Sequence, residues 1–331
     1  MPVIVRPKFL EMEDPPAFKI TPNQRKSITD ILNTERRIDG RRAHDTRKFQ
    51  IEFSNNSTIV RLGKTLVSCT NTLTQEKPPE ERPSEGRHVI TISSPYYGDY
   101  AFHTEAINQI RNVIHKTRAL DLESLVIKIG ELIWCLKSEI VILNNDGGLI
   151  EAMNLALVTS LLSTKIQGPR GLRPLVLHHL PIAITFGIFE PHLIFTDPNV
   201  IEASVMKGSI TIFGNALGEL CGIYKNGGIP LRQTSINAVI EQAIEIVKIW
   251  HVEIMNQMGP NAPQMLKQII KEEPKAPSNE ENEEDVNKND KEIIKEVTEE
   301  FKDISKEESD SEMFDDEDEE IDPGLLSFLQ Q

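Results

Sequence analysis

A chain of 331 residues, 39% of them hydrophobic, can bury the core of one or two domains, and no run of 18 apolar residues marks a membrane-spanning helix. The formal charge of -15 is uneven: residues 271–331 hold 7 Lys+Arg against 24 Asp+Glu, which leaves 29 basic and 27 acidic residues for positions 1–270. A uniformly acidic body that would repel polyanions is thereby excluded. The start, Met-Pro-Val-Ile-Val-Arg-Pro-Lys, lacks the apolar core and cleavage site of a secretory signal, so an intracellular protein is expected. Cys69, Cys135 and Cys221 are far apart with no Cys-x-x-Cys spacing, and three buried thiols are expected in place of a disulfide framework or zinc site.

Residues 1–20, with four prolines, read as an extended arm. Thr21 followed by Pro22 predicts a helix start, with Ile28, Ile31 and Leu32 as its apolar stripe. The helix runs into a basic turn, Glu35-Arg36-Arg37-Ile38-Asp39-Gly40-Arg41-Arg42, and residues 25–48 hold 8 basic against 4 acidic side chains. A solvated surface, RNA phosphates or a partner subunit each account for that excess. Alternation over 49–74 predicts three strands with a hairpin turn at Gly63-Lys64, followed by a charged, proline-rich loop over 77–87. A strand over 89–94, a helix capped by Thr104 and carrying Ile107, Ile110 and Ile114, and strands over 125–129 and 132–143 follow. Then come Gly147 and Gly148 and an apolar helix over 150–162.

After a loop at Gly168-Pro169-Arg170-Gly171, strands are expected over 182–189, 193–196, 209–213 and 220–224. A long amphipathic helix carries Ile236, Val239, Ile240, Ala243, Val247, Trp250 and Ile254, with Thr234 or Ser235 as its cap. Each half is a run of strands followed by a helix, which predicts an α+β fold, readable as a duplication over 21–165 and 166–260. Residues 261–331 form an acidic tail expected to be disordered, since so few apolar residues cannot offset the entropy of ordering. Within it, Ser305, Ser309 and Ser311 suit acid-directed phosphorylation, and the apolar end over 322–329 suits a turn docked in a partner's groove.

Chemistry is sparse. A strand, two glycines and a helix start over 140–151 make a frame for an anion at exposed helix amides, but Leu149 and Ile150 cannot clamp a phosphate and Glu151 repels one. His178 and His179 point to opposite faces of a strand and do not grip one metal; no metal site is expected. Asp197 and Glu202 are the remaining acidic candidates, and Asp197, ahead of Pro198 and Asn199, reads as the cap of a turn.

Five landmarks stand in order: Arg37-Ile38-Asp39-Gly40-Arg41, Gly63-Lys64-Thr65-x-Val67, Asn145-Asp146-Gly147-Gly148, Asp197-Pro198-Asn199 with Glu202, and Val205-Met206-x-Gly208. Together, over residues 24 to about 255, they resemble the RNase PH family. Leu120-Asp121-x-Glu123-Ser124-Leu125 and His178-His179-Leu180-Pro181-Ile182 add a likeness to its members in the ring of the eukaryotic RNA exosome. The resemblance implies an RNase PH-like duplicated β-α fold, sheets packed with helices, in a six-membered ring that threads RNA. Active members of the family cleave RNA from its 3′ end with phosphate as nucleophile.

Position by position, the resemblance implies lost chemistry. Active relatives carry Asp-Gly-Gly-Thr-Arg where this chain has Asp146-Gly147-Gly148-Leu149-Ile150, so the guanidinium that would orient the anion is gone. The two catalytic aspartates, six residues apart, correspond to Ala203 and Ser209. An Arg-x-x-Arg pair falls at Asn112 and His115, leaving Arg111, His115, Lys116 and Arg118, with Arg36, Arg37 and Arg41, as candidate RNA contacts. The implied protein is a non-catalytic ring subunit of the exosome core, without a cofactor, supporting 3′-to-5′ RNA processing and degradation. Its implied partners are other RNase PH-like ring subunits, among them a ribosomal RNA-processing protein 41-type neighbour, cap subunits and RNA, with no membrane. The implied location is nucleus, nucleolus and cytoplasm. Two alternatives remain open: an active phosphorolytic 3′ exoribonuclease and a free-standing RNA-binding adaptor.

Overall fold

The structure, a computed structural model, describes residues 21–34, 36–54, 57–93, 100–168 and 171–259. The expected N-terminal arm and acidic tail, with its serines and apolar end, lie outside the described residues.

Helix α1 (Pro22–Asn33) starts on a capping box: Gln24 N donates to the Thr21 hydroxyl at 3.3 Å and Thr21 N donates to Gln24 Oε1 at 3.0 Å. Its buried face does not meet the sheet that follows in sequence. Leu32 packs instead among Phe189, Leu193, Phe195 and Val205 of the second half, and Arg25 donates to Ser204 O at 2.9 Å.

Strands β1 (Phe49–Ser54), β2 (Ser57–Leu62) and β3 (Thr65–Glu76) form the expected antiparallel meander, with Gly63 in a left-handed conformation at the β2–β3 turn. With β4 (Arg87–Ser93), β5 (Val126–Lys128) and β6 (Leu132–Asn144) they make one sheet in the order β1-β2-β3-β6-β4, β5 pairing with β6. The β4–β6 pair is parallel, so the chain must cross over between them, and helix α2 (Tyr100–Lys116) lies in that crossover. Because α2 begins at Tyr100, Thr104 sits inside the helix and is not its cap. After α3 (Leu149–Ser163) the expected loop is a hairpin, β7 (Lys165–Gly168) with β8 (Gly171–Pro174).

The second sheet runs β10-β9-β11-β12, from β9 (Ile182–Glu190), β10 (Leu193–Thr196), β11 (Gly208–Gly214) and β12 (Leu220–Gly227). Between β10 and β11 stands a short helix, α4 (Val200–Val205), where the sequence reading placed only a turn. Helix α5 (Gln233–Met258) closes the fold; its N-cap is Arg232, so Thr234 and Ser235 fall inside its first turn. The Gln257 side chain accepts from Ile51 N at 2.8 Å and donates to Phe49 O at 3.2 Å, covering part of the β1 edge as a neighbouring strand would.

Helix α3 is buried from Leu149 through Leu162, with strands β2, β3 and β6 on one side and β9 on the other. A helix enclosed on both sides needs no polar face, which accounts for its nearly unbroken apolar sequence. Its two strongly polar buried residues serve β9. Ala183 N donates to Asn154 Oδ1 at 2.9 Å and Thr185 N donates to Glu151 Oε1 at 2.6 Å, satisfying strand amides just before β10 pairing begins at Phe186. One continuous core thus includes Val60 and Ile140 of the first sheet, Leu155 of α3, and Ile184 and Trp250 of the second half.

Candidate functional site

The glycine turn that joins β6 to α3 is held from both sides. Asp146 N donates to the Thr65 hydroxyl at 2.9 Å, and that hydroxyl donates to Gly147 O at 2.6 Å. Gly147 and Gly148 both have positive φ, +84° and +61°. A Cβ on Gly147 would lie 2.6 Å from Pro198 O, because Gly147 bridges to Asn199 and Val200 N donates to Asp146 O at 3.2 Å. A Cβ on Gly148 would collide with the Arg47 guanidinium and lie 2.8 Å from Asp197 Oδ1. Glycine is required here for close packing of chain on chain, and the space beside the turn is taken by residues 197–200.

Asp197 is the centre of that packing, not the cap of a turn. Its Oδ2 accepts from Arg47 N at 2.8 Å, Arg47 Nε at 2.9 Å and Arg41 at 3.0 Å, while Oδ1 meets the Arg47 guanidinium at 2.5 Å. The residue is 1% exposed and its φ is +50°, a left-handed conformation uncommon outside glycine that these four contacts hold in place. The capping role belongs to Asn199, whose side chain accepts from Glu202 N at 2.9 Å while Glu202 Oε2 accepts from Asn199 N at 3.0 Å. Glu202 also forms a buried fork with Arg37, at 2.9 and 2.5 Å, and Arg37 donates further to Thr196 O and Asp197 O. Both acidic candidates are therefore spent on arginines. Among the described residues no group of three or more His, Cys, Asp or Glu is placed to hold a metal ion.

Leu149 and Ile150 point into the core, 4% and 5% exposed. Glu151, read from the sequence as a repulsive charge at the turn, is fully enclosed, and burial first and the neighbouring Asp197 charge second push its carboxyl up to about 7. Ala203 lies on α4 and Ser209 on β11, opposite Gly187 and Asn226. Neither position offers a carboxylate.

Sequence profiles of the 3′ exoribonuclease family match here in two parts, domain 1 over residues 45–167 and domain 2 over residues 179–246. Exosome complex component RRP45A of Arabidopsis thaliana is 33% identical over 247 residues, covering 66% of this chain and 80% of that protein. The chain belongs to the RNase PH family. Exosome complex component RRP45 of Homo sapiens is 27% identical over 238 residues, which are 64% of this chain but only 54% of that longer protein. The fold of a chain in an archaeal exosome core superposes with a TM-score of 0.64 at 26% identity, covering 70% of this chain and 95% of that one. A chain of the Archaeoglobus fulgidus exosome with RNA bound to the active site matches with the same TM-score at 25% identity. The RNase PH-like exosome core fold thus covers about 70% of this chain.

Within this family member the seven candidate RNA contacts fall in separate places. Arg37 is buried and Arg41 is held by Asp39 and Asp197, which withdraws both from solution; Arg36 remains exposed beside an open basic depression of about 590 Å³ that Arg42 and His44 also line. Arg111 donates to Ile90 O and Asn108 Oδ1 at 2.9 and 2.8 Å. The His115 ring stands 5.6 Å from that of His88, and burial, then the Arg111 charge, lowers its basicity. Lys116 is exposed. Arg118 and His115 face a cavity near the start of β4, where Arg87 lies opposite Cys135 of β6. That is nine residues along β6 from the glycine turn, roughly 30 Å at strand spacing. His178 and His179 also part company: His179 Nε2 is 3.0 Å from the Thr117 hydroxyl, and His178 lines the cavity. Cys69 and Cys135 are buried, but Cys221 is partly exposed, so only two of the three thiols are enclosed as expected.

Proposed function

We propose that this chain is a non-catalytic ring subunit of the RNA exosome core. It supports 3′-to-5′ processing and degradation of RNA by assembling with other RNase PH-like subunits, a ribosomal RNA-processing protein 41-type neighbour among them, and with cap subunits around an RNA channel in nucleus, nucleolus and cytoplasm. The carrying observation is the closed glycine turn: Pro198 O and Asn199 pack against Gly147, and Leu149 and Ile150 fill core space where an anion would need a hydroxyl and a guanidinium. The names of its relatives, exosome complex components RRP45A and RRP45, support the choice of assembly.

Two measurements test the proposal. Purified chain given single-stranded RNA and inorganic phosphate is expected to release no nucleoside diphosphate; steady turnover would favour a phosphorolytic enzyme. Affinity purification from its own cells is expected to recover the other ring proteins in equal amounts, whereas a free monomer would favour an adaptor. The double substitution Leu149→Thr, Ile150→Arg is expected to remain inactive in the same assay, since Ala203 and Ser209 still supply no carboxylate.

A further inference from the structure

At the end of the first sheet away from the glycine turn lies a cavity of about 410 Å³, within the size range of small-molecule sites. Leu120 and Ile114 give it an apolar floor, and His115 and His178 supply two imidazole rings. Arg118 sits at its wall with φ +52°, in the left-handed turn that ends α2, where Arg118 N donates to His115 O at 3.3 Å and Ala119 N donates to Ile114 O at 3.1 Å. The Arg118 side chain makes no hydrogen bond or ion pair among the described residues. Glu123, also on the lining, is exposed, and its carboxylate is likewise without a partner among them. Of the other charged lining residues, Arg82 meets Glu85 at 3.4 Å in an exposed pair, and Asp121 Oδ1 accepts from Glu123 N and Ser124 N. Among the described residues the cavity thus presents the unpaired Arg118 guanidinium and Glu123 carboxylate, with two imidazole rings and an apolar floor.

Each of these suits a different part of a ribonucleotide. A base taken out of its stack lies against imidazole and aliphatic surface, a guanidinium pairs with its phosphate, and a carboxylate accepts two N–H groups from one base edge. Guanine alone among the four bases carries two adjacent donors, N1–H and N2–H, on its pairing edge. We propose that this cavity holds a single unstacked guanosine nucleotide of single-stranded RNA, with Arg118 on the phosphate and Glu123 on the base. The inference rests on the reading that the chain contacts RNA, and extends it to a site remote from the degenerate phosphate turn.

The test uses the full-length chain and labelled ribo-heptamers, UUUGUUU and UUUCUUU, followed by fluorescence anisotropy over a salt series. Wild type is expected to bind the guanosine oligomer about tenfold more tightly than the cytidine one. Glu123→Gln, at an exposed site, is expected to abolish that preference and leave the cytidine oligomer unaffected. Arg118→Gly suits the left-handed backbone, so it removes the guanidinium without straining the fold. It is expected to weaken both oligomers and to reduce the slope of log affinity on log salt by about 0.7, the loss of one phosphate contact on a single strand. Equal binding of both oligomers by wild type, or binding indifferent to both substitutions, would overturn the site. So would a cavity that protects its residues only when a protein partner is added. In each of those cases, recovery of the chain with its ring proteins would leave the assembly reading standing.

Discussion

Glu151 shows how a single side chain changes meaning once its neighbours are known. Its Oε1 takes the Thr185 amide and its Oε2 is buried without a partner among the described residues, beside the Asp197 carboxylate. With its carboxyl raised from 4.5 to about 7, the folded protein keeps a proton that the unfolded chain releases above pH 4.5. The penalty tied to ionising this group is therefore absent below pH 4.5, grows up to about pH 7, and stays constant above it. Glu151→Gln keeps the acceptor for Thr185 and cannot ionise. It is expected to stabilise the protein by about 2 kcal/mol at pH 7.5 and by much less at pH 4.5, read from urea unfolding at the two pH values. An equal effect at both would show that the carboxyl is ionised throughout. The Arg37–Glu202 fork is the opposite case: Glu202→Ala strands a buried guanidinium and is expected to cost about 3 to 5 kcal/mol by the same measurement.

The glycine turn and the short helix α4 are joined as elements through backbone contact. Gly147→Ala places a methyl against Pro198 O at 2.6 Å in addition to the cost of positive φ. Gly40 offers a control, since it has φ +77° with nothing within 4 Å of a Cβ. Alanine at Gly40 is expected to cost about 1 kcal/mol from conformation alone, and alanine at Gly147 at least about 2 kcal/mol more than that, measured by thermal unfolding. Comparable losses at both would mean that residues 198–200 shift readily and that the turn is not packed shut. The sequence signal for α4 was present as Asn199-x-x-Glu202, a capping pattern. Asp197-Pro198-Asn199 masked it, because that run is equally good turn chemistry and only six helical residues follow.

On the scale of the described body, the first and last helices both reach back across the fold. Helix α1 leaves the first sheet unserved and covers Phe189, Phe195 and Val205, while α5 reaches back to β1, with Trp250 5.1 Å from Phe49 ring to ring and Gln257 on the strand edge. Truncating the helix–sheet contact by Leu32→Ala, at a fully buried side chain, is expected to cost about 3 kcal/mol. A loss below 1 kcal/mol in urea unfolding would mean that α1 is peripheral to the folded body. Helices α3 and α5 share one core with both sheets, while Leu32 of α1 packs in a second cluster, so the two matched family segments need not unfold independently.

Periodicity and turn chemistry alone determined the strands of the β1–β3 meander, the Thr21 start of α1, the apolar stripe of α5 and the apolar course of α3, because these depend on neighbours within a few residues. The ordered landmarks determined the family for the same reason: they record local backbone requirements such as Gly63 and Gly147. Only tertiary structure decided that Asp197 and Glu202 are neutralised by Arg41, Arg47 and Arg37, partners some 150 or more residues away in sequence. It alone removed Arg37 from the surface, and it alone brought Arg118, Glu123 and His178 to one cavity. The charge of a side chain is written in the sequence, but whether that charge is spent or free depends on what long-range packing sets within hydrogen-bond reach.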